Sequence, residues 1–162
     1  MRSNGSSGVC TTIGWSTPDS SSTSVLRKSN SRIHVFNRQK KILVETRRLK
    51  EFLGRLAHRL GITAEFSTVL VSDRGIRLYN RRYRGVPEPT DVLAFPMGEE
   101  SYLGDILISV ETADRQRRGV LQTELRVLAL HGLLHLMGYD HEADSGEMES
   151  MEVQLRREFQ LL

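Results

Sequence analysis

Residues 131–141 read His131-Gly132-Leu133-Leu134-His135-Leu136-Met137-Gly138-Tyr139-Asp140-His141. Residues four apart share one face of a helix, so the first two imidazoles aim at one point. Gly138 is suited to the left-handed conformation that ends a helix, and the chain can then turn back to bring His141 to the same place. Three neutral imidazoles with an open fourth position describe a catalytic zinc site better than a structural one. Three of the five histidines of the chain fall in this run, which makes chance spacing a poor account of it. His34 and His58 are expected to be ordinary surface or packing residues.

The spacing H-x-x-x-H-x-x-G-x-x-H is similar to that of metzincin metalloproteases, with one difference. Their second position is a glutamate, the general base of peptide hydrolysis. Here it is Gly132, so the metal cradle is present and the protease base is missing. Zinc is the default ion; nickel, cobalt or copper suit the same ligands in vitro. Cys10 is the only cysteine, which excludes both an internal disulfide and a Cys-rich zinc site. Ligating histidines need partners on their second ring nitrogens. Asp140, Asp105 and backbone carbonyls are the candidates, and Glu142 is a candidate acid or base beside the metal.

Outward from this run the chain alternates elements. Residues 1–31 hold fourteen Ser or Thr without an apolar period, and read as a disordered leader. From 32 to 162 we expect one domain. Ile33–Phe36, Ala64–Val71, Val92–Phe95 and Asp105–Ser109 read as strands, with Pro96 stopping the third and a turn over Met97–Tyr102. Helices are expected over Glu45–Leu60, from Ser72 or Asp73 to Tyr83, over Glu111–Arg118, over Thr123–Met137, and from Ser145 onward. Met148, Met151, Leu155 and Phe159 form the apolar side of the last. Interleaved helices and strands give an α/β (α+β) class with a small mixed sheet and a zincin-like metal helix. No apolar run approaches the length of a membrane span.

The net charge of +3 is a weak argument for a nucleic-acid partner, because residues 1–31 contribute +2 of it. Local clustering is more telling. Arg74, Arg77, Arg81, Arg82 and Arg84 lie within eleven residues. Guanidinium groups bind phosphate bidentately, so this is either a phosphate-binding surface or a solvated helix face. Arg77, Arg81 and Arg84 fall on one stripe if the helix persists, and Tyr83 offers a stacking face for a base or a packing contact. From Gly138 to Glu152 there are instead six acids and no Lys or Arg. Most are expected to face solvent, with some favouring a helix N-terminus.

HGLLHLMGYDH resembles a signature of the YbeY family of rRNA maturation factors. Asn80-Arg81-Arg82-Tyr83-Arg84-Gly85 with Pro89-Thr90-Asp91-Val92-Leu93-Ala94-Phe95-Pro96, and Leu103-Gly104-Asp105-Ile106-Leu107-Ile108-Ser109, resemble two more. Ala94 stands where many members have serine. The resemblance covers about residues 32–160. It implies a compact α/β domain and a zinc-dependent, single-strand endoribonuclease active in rRNA processing, notably at the 3′ end of small-subunit rRNA, and in ribosome quality control. It implies His131, His135 and His141 as ligands of one zinc per chain and Arg84 as a functional arginine. Single-stranded rRNA, the small ribosomal subunit and its assembly factors would be partners, in the cytoplasm and away from membranes.

Three readings follow. In the leading one, zinc acts as a Lewis acid and acidifies bound water toward a pKa of roughly 7, which makes a carboxylate base less necessary. Arg84 then stabilises charge on the phosphate. The nucleophile is either water or the RNA 2′-OH. In the second, the protein is a non-catalytic ribosome-assembly factor with a structural zinc. The third, a metalloprotease, founders on Gly132.

Overall fold

The computed structural model describes residues 32–162; the leader expected over 1–31 lies outside the described residues. Four strands form one sheet: β1 (Ile33–Asn37), β2 (Glu65–Val71), β3 (Val92–Pro96) and β4 (Tyr102–Ser109), in the order β1-β2-β4-β3. β1, β2 and β4 are parallel; β3 runs antiparallel to β4. The helices are α1 (Thr46–Arg59), α2 (Asp73–Arg84), α3 (Val110–Gln116), α4 (Leu121–Leu136) and α5 (Glu147–Glu158). The class is therefore α+β with a mixed sheet, as the alternation of elements predicts.

Strand periodicity decides which helix meets which face. Phe66, Leu70, Val92, Ala94, Ile106 and Ile108 face one way and are buried with α1 and α4. On α1, Leu49, Phe52, Leu53 and Leu56 recur at helical spacing and are at most 1% exposed. Val69, Val71, Leu93, Phe95 and Leu107 face the other way, under Ile76, Tyr79 and Tyr83 of α2. α4 is buried nearly all round, which makes it the central helix and leaves it little room to shift.

Three boundaries differ from expectation for identifiable reasons. Pro96 is itself the last residue of β3, paired opposite Gly104, one residue beyond the expected end at Phe95. β3 lies at the sheet edge, where a residue without an N–H is tolerated. β4 begins at Tyr102 rather than Asp105, because the β2–β4 register shifts between Glu65 and Phe66 and the ladder continues past Gly104. Also, α3 starts at Val110, with Ser109 Oγ accepting from Thr112 N at 3.3 Å. α2 is fastened to β4 and α3 by Asp73, whose carboxylate accepts from Ser109 Oγ and Thr112 Oγ1, each at 2.6 Å, and pairs with Arg115 at 2.7 Å.

Candidate metal centre

α4 ends by a rule visible in its backbone. Gly138 N donates to His135 O at 3.0 Å and Tyr139 N to Leu134 O at 3.1 Å; this is the paired closure of a Schellman motif. It needs the positive φ that Gly138 adopts, +98°. Beyond it, Asp140 organises the return. Its carboxylate accepts from Glu142 N at 3.0 Å, and its carbonyl from Ala143 N at 3.0 Å and Asp144 N at 2.9 Å. Asp144 in turn accepts from Met148 N at 2.9 Å and caps α5. His141 is held between these turns.

The result is convergence of the three imidazoles. Candidate ligand atoms of His131, His135 and His141 all lie within 4.8 Å of one another. His131 Nε2 and His135 Nε2 are 3.2 Å apart. Ring centroids are 4.8 Å apart for His131 and His135, 5.4 Å for His135 and His141, and 5.8 Å for His131 and His141.

The second nitrogen of His131 has a partner that sequence reading missed. His131 Nδ1 lies 2.9 Å from Glu152 Oε2 on α5. A proton on Nδ1 is held by that carboxylate, which leaves the Nε2 lone pair facing the other rings. Glu152 is itself 3.7 Å from Arg156. The signal for it was the acidic run after Gly138, but a residue twenty-one positions from His131 is placed only by the packing of α5. Of the partners expected instead, Asp105 accepts from Tyr102 OH at 2.6 Å and sits beside Leu107 on the face of α2. Asp140 acts on the loop and, through its charge, on His135. Glu142 is exposed.

His135 is 1% exposed. Burial, with His131 and His141 adding to it, lowers its pKa to about 4. It is therefore neutral at ordinary pH, the state a metal requires. His141 Nδ1 is buried without a hydrogen-bond partner among the described residues. Three converging imidazoles, His141 with an orphaned nitrogen and His131 oriented by a carboxylate, fit a divalent transition ion such as zinc.

A further acid lies near the histidines. Asp91 is 4% exposed, and its carboxylate accepts from Val92 N at 2.8 Å and Gln116 Nε2 at 3.0 Å. Burial raises its pKa, and its charge interacts with His131. Gln116 Nε2 also reaches Glu124 at 3.1 Å, which joins the start of β3 to α4.

Gly132 has a steric explanation. A Cβ there would meet Ile106 Cγ2 at 2.7 Å. The position faces β4, so α4 seats against the sheet only because no side chain intervenes, and a glutamate side chain has no room there. The arginine cluster sits elsewhere. α2 persists to Arg84, so Arg77, Arg81 and Arg84 do share a face, with the first two exposed. Arg84 Nη1 donates to Asn80 Oδ1 at 3.3 Å, and Asn80 Nδ2 holds the Glu88 carbonyl at 2.8 Å. Arg84 thus begins the loop that ends at Asp91. Tyr83 is a packing residue, 5.5 Å from the Phe95 ring. His34 pairs with Glu65 at 3.5 Å, and His58 is exposed.

Comparison with known proteins places the chain among proteins of similar sequence and structure. The model of the family described as endoribonuclease YbeY matches residues 34–160. The endoribonuclease YbeY of Geobacter sulfurreducens is 41% identical over 144 residues, which cover 81% of this chain and 95% of that protein. That of Koribacter versatilis is 40% identical over 121 residues, 73% of this chain and 80% of its own. The solution structure of a Thermotoga maritima protein superposes with a TM-score of 0.57 at 30% identity, covering 79% of this chain and 91% of that one. No helix among the described residues is long and apolar enough to cross a membrane.

Proposed function

This chain belongs to the endoribonuclease YbeY family, and on that footing we propose that it is a zinc-dependent endoribonuclease cutting single-stranded RNA in rRNA processing. In this reading its substrate is the 3′ end of small-subunit rRNA. It also serves ribosome quality control in the cytoplasm, beside the small subunit and its assembly factors. The observation that carries the reading is the convergence of His131, His135 and His141 within 4.8 Å.

These three residues would hold one zinc per chain. When bound, the ion supplies Lewis-acid polarisation of oxygen at a phosphodiester. The protein's own groups do the rest. Glu152 keeps a proton on His131 Nδ1 and so keeps Nε2 turned inward. Burial keeps His135 neutral. Arg84 binds a substrate phosphate through its guanidinium, with Asn80 orienting it. Gly132 contributes no base, which separates this centre from peptide hydrolysis.

The test is cleavage of single-stranded RNA by purified protein beside His135→Ala and Arg84→Ala, together with metal analysis. We expect about one zinc per chain and loss of cleavage in both variants. Equal residual cleavage in all three would point to a contaminating nuclease and leave the assembly-factor reading standing. Product ends assign the nucleophile: a 2′,3′-cyclic phosphate marks 2′-OH attack, and a direct hydrolysis product with an intact 3′-hydroxyl marks water.

A further inference from the structure

α1, the start of β1 and α4 border an open groove of about 990 Å3 that the catalytic reading leaves unused. Arg32, Arg47, Arg48, Lys50, Arg55 and Arg126 line it, against Glu51 as the one acid. Two of the cations on α1 are engaged in exposed pairs: Arg47 with Glu51 at 2.9 Å, and Arg48 with Glu45, just before the helix, at 2.8 Å. Such pairs are weak and screened, so they leave the groove basic.

Two details go beyond a charged helix face. Arg126 stacks over the buried Phe52 ring at 5.7 Å, and its Nε is buried without a hydrogen-bond partner among the described residues. Arg55 and Arg48 repel it: after burial, they are what lowers its pKa. With its Nε buried, the half-buried guanidinium presents its outer edge to the groove, where a bound anion would offset the repulsion among these like charges. The second detail is Gly54, in the interior of α1. A glycine there costs about 1 kcal/mol relative to alanine. No packing reason accounts for it, since a Cβ would meet nothing within 4 Å. The missing side chain keeps the groove open.

We propose that this groove is a second RNA contact, seating the sugar-phosphate backbone of a single strand against Lys50, Arg55 and Arg126 over the bare surface at Gly54. The proposal rests on the endoribonuclease reading for the identity of the polyanion. Arg126 and His131 lie five residues apart on α4, about 8 Å along its axis and on different faces. A strand held in the groove is thus positioned by the same rigid helix that carries two of the histidines.

The experiment is fluorescence anisotropy of a short labelled single-stranded RNA with the full chain over a salt series, with strand integrity checked on a denaturing gel. Arg55→Gln/Arg126→Gln is expected to flatten the salt slope by about 1.4, at about 0.7 per lost phosphate contact, and to weaken binding about 5-fold per contact near 0.1 M salt. Gly54→Leu is expected to weaken binding while melting at or above the wild-type temperature. If Arg126→Gln fails to fold, Arg55→Gln and Gly54→Leu carry the test. Unchanged affinity and slope in those two overturn the proposal. His135→Ala separates it from the catalytic reading, since it should lose cleavage and keep the anisotropy. A wild type that cuts RNA while the groove variants bind normally sinks the groove alone. Groove-dependent binding by a protein that cuts nothing sinks catalysis alone.

Discussion

Replacing Gly132 by alanine adds one methyl group at the closest approach of α4 to the sheet. The new Cβ would lie 2.7 Å from Ile106 Cγ2, 3.3 Å from Cγ1 and 3.5 Å from Cδ1. Ile106 is 0% exposed and its strand is paired on both sides, so it has nowhere to retreat. Overpacking of this kind costs about 1–3 kcal/mol. Better helix propensity returns about 1 kcal/mol. The net expectation is a loss of about 0–2 kcal/mol in urea denaturation, at unchanged slope. The sign should reverse on an Ile106→Ala background, where the methyl enters a cavity and the propensity gain survives. Displacing α4 also moves His131 and His135, so zinc affinity measured against a chromophoric chelator should fall with stability in the single variant and recover in part in the double. A Gly132→Ala protein more stable than wild type by the full propensity gain would refute the close-contact argument. Gly132 would then have to be explained by chemistry alone.

Other outcomes are equally open to measurement. Glu152→Gln should weaken zinc binding about 10- to 100-fold in chelator competition without changing the far-ultraviolet circular dichroism, as loss of a partner to a ligating histidine does. Burial holds the pKa of His135 at about 4 when folded, against 6.5 for a free histidine side chain. Protonation therefore favours the unfolded chain. In metal-free protein its contribution is present above pH 6.5 and lost as pH falls toward 4, on the order of 3 kcal/mol; flat stability over that window in His135-containing protein would count against it. Asp73→Asn removes the charge of a half-buried hub, and should cost about 1–3 kcal/mol in thermal or urea unfolding. Asp73 itself is pushed up by burial, but Arg115, Ser109 and Thr112 outweigh this and hold its pKa below 3.8. Its stabilisation is thus present above that value and lost as pH falls through the lower folded one.

Much of the fold was legible because it is written in short periods. The i, i+3, i+4 pattern of Leu49, Phe52, Leu53 and Leu56 placed α1, and the histidine spacing with Gly138 placed the end of α4. What escaped depends on contacts distant in sequence. Pro96 reads as a stop until β3 is known to be an edge strand. Glu152 reads as one more exposed acid until α5 is folded back on α4. Gly132 reads as a missing base until Ile106 is seen pressing on it. Tyr83, with a base-stacking and a packing reading open in the sequence, is settled by Phe95.

The arrangement of the centre also has a consequence for synthesis. Its four side chains, His131, His135, His141 and Glu152, come from late in the chain, after every strand of the sheet. On the ribosome the sheet, α1 and α2 emerge first, yet no ligand can be supplied until α4 has followed, and the orienting carboxylate arrives with α5. Capture of an ion by this centre would thus be a closing step of biogenesis. A product that stops short of Glu152 would carry all four strands but an unfinished centre, and would be distinguishable from the finished protein by weaker metal affinity.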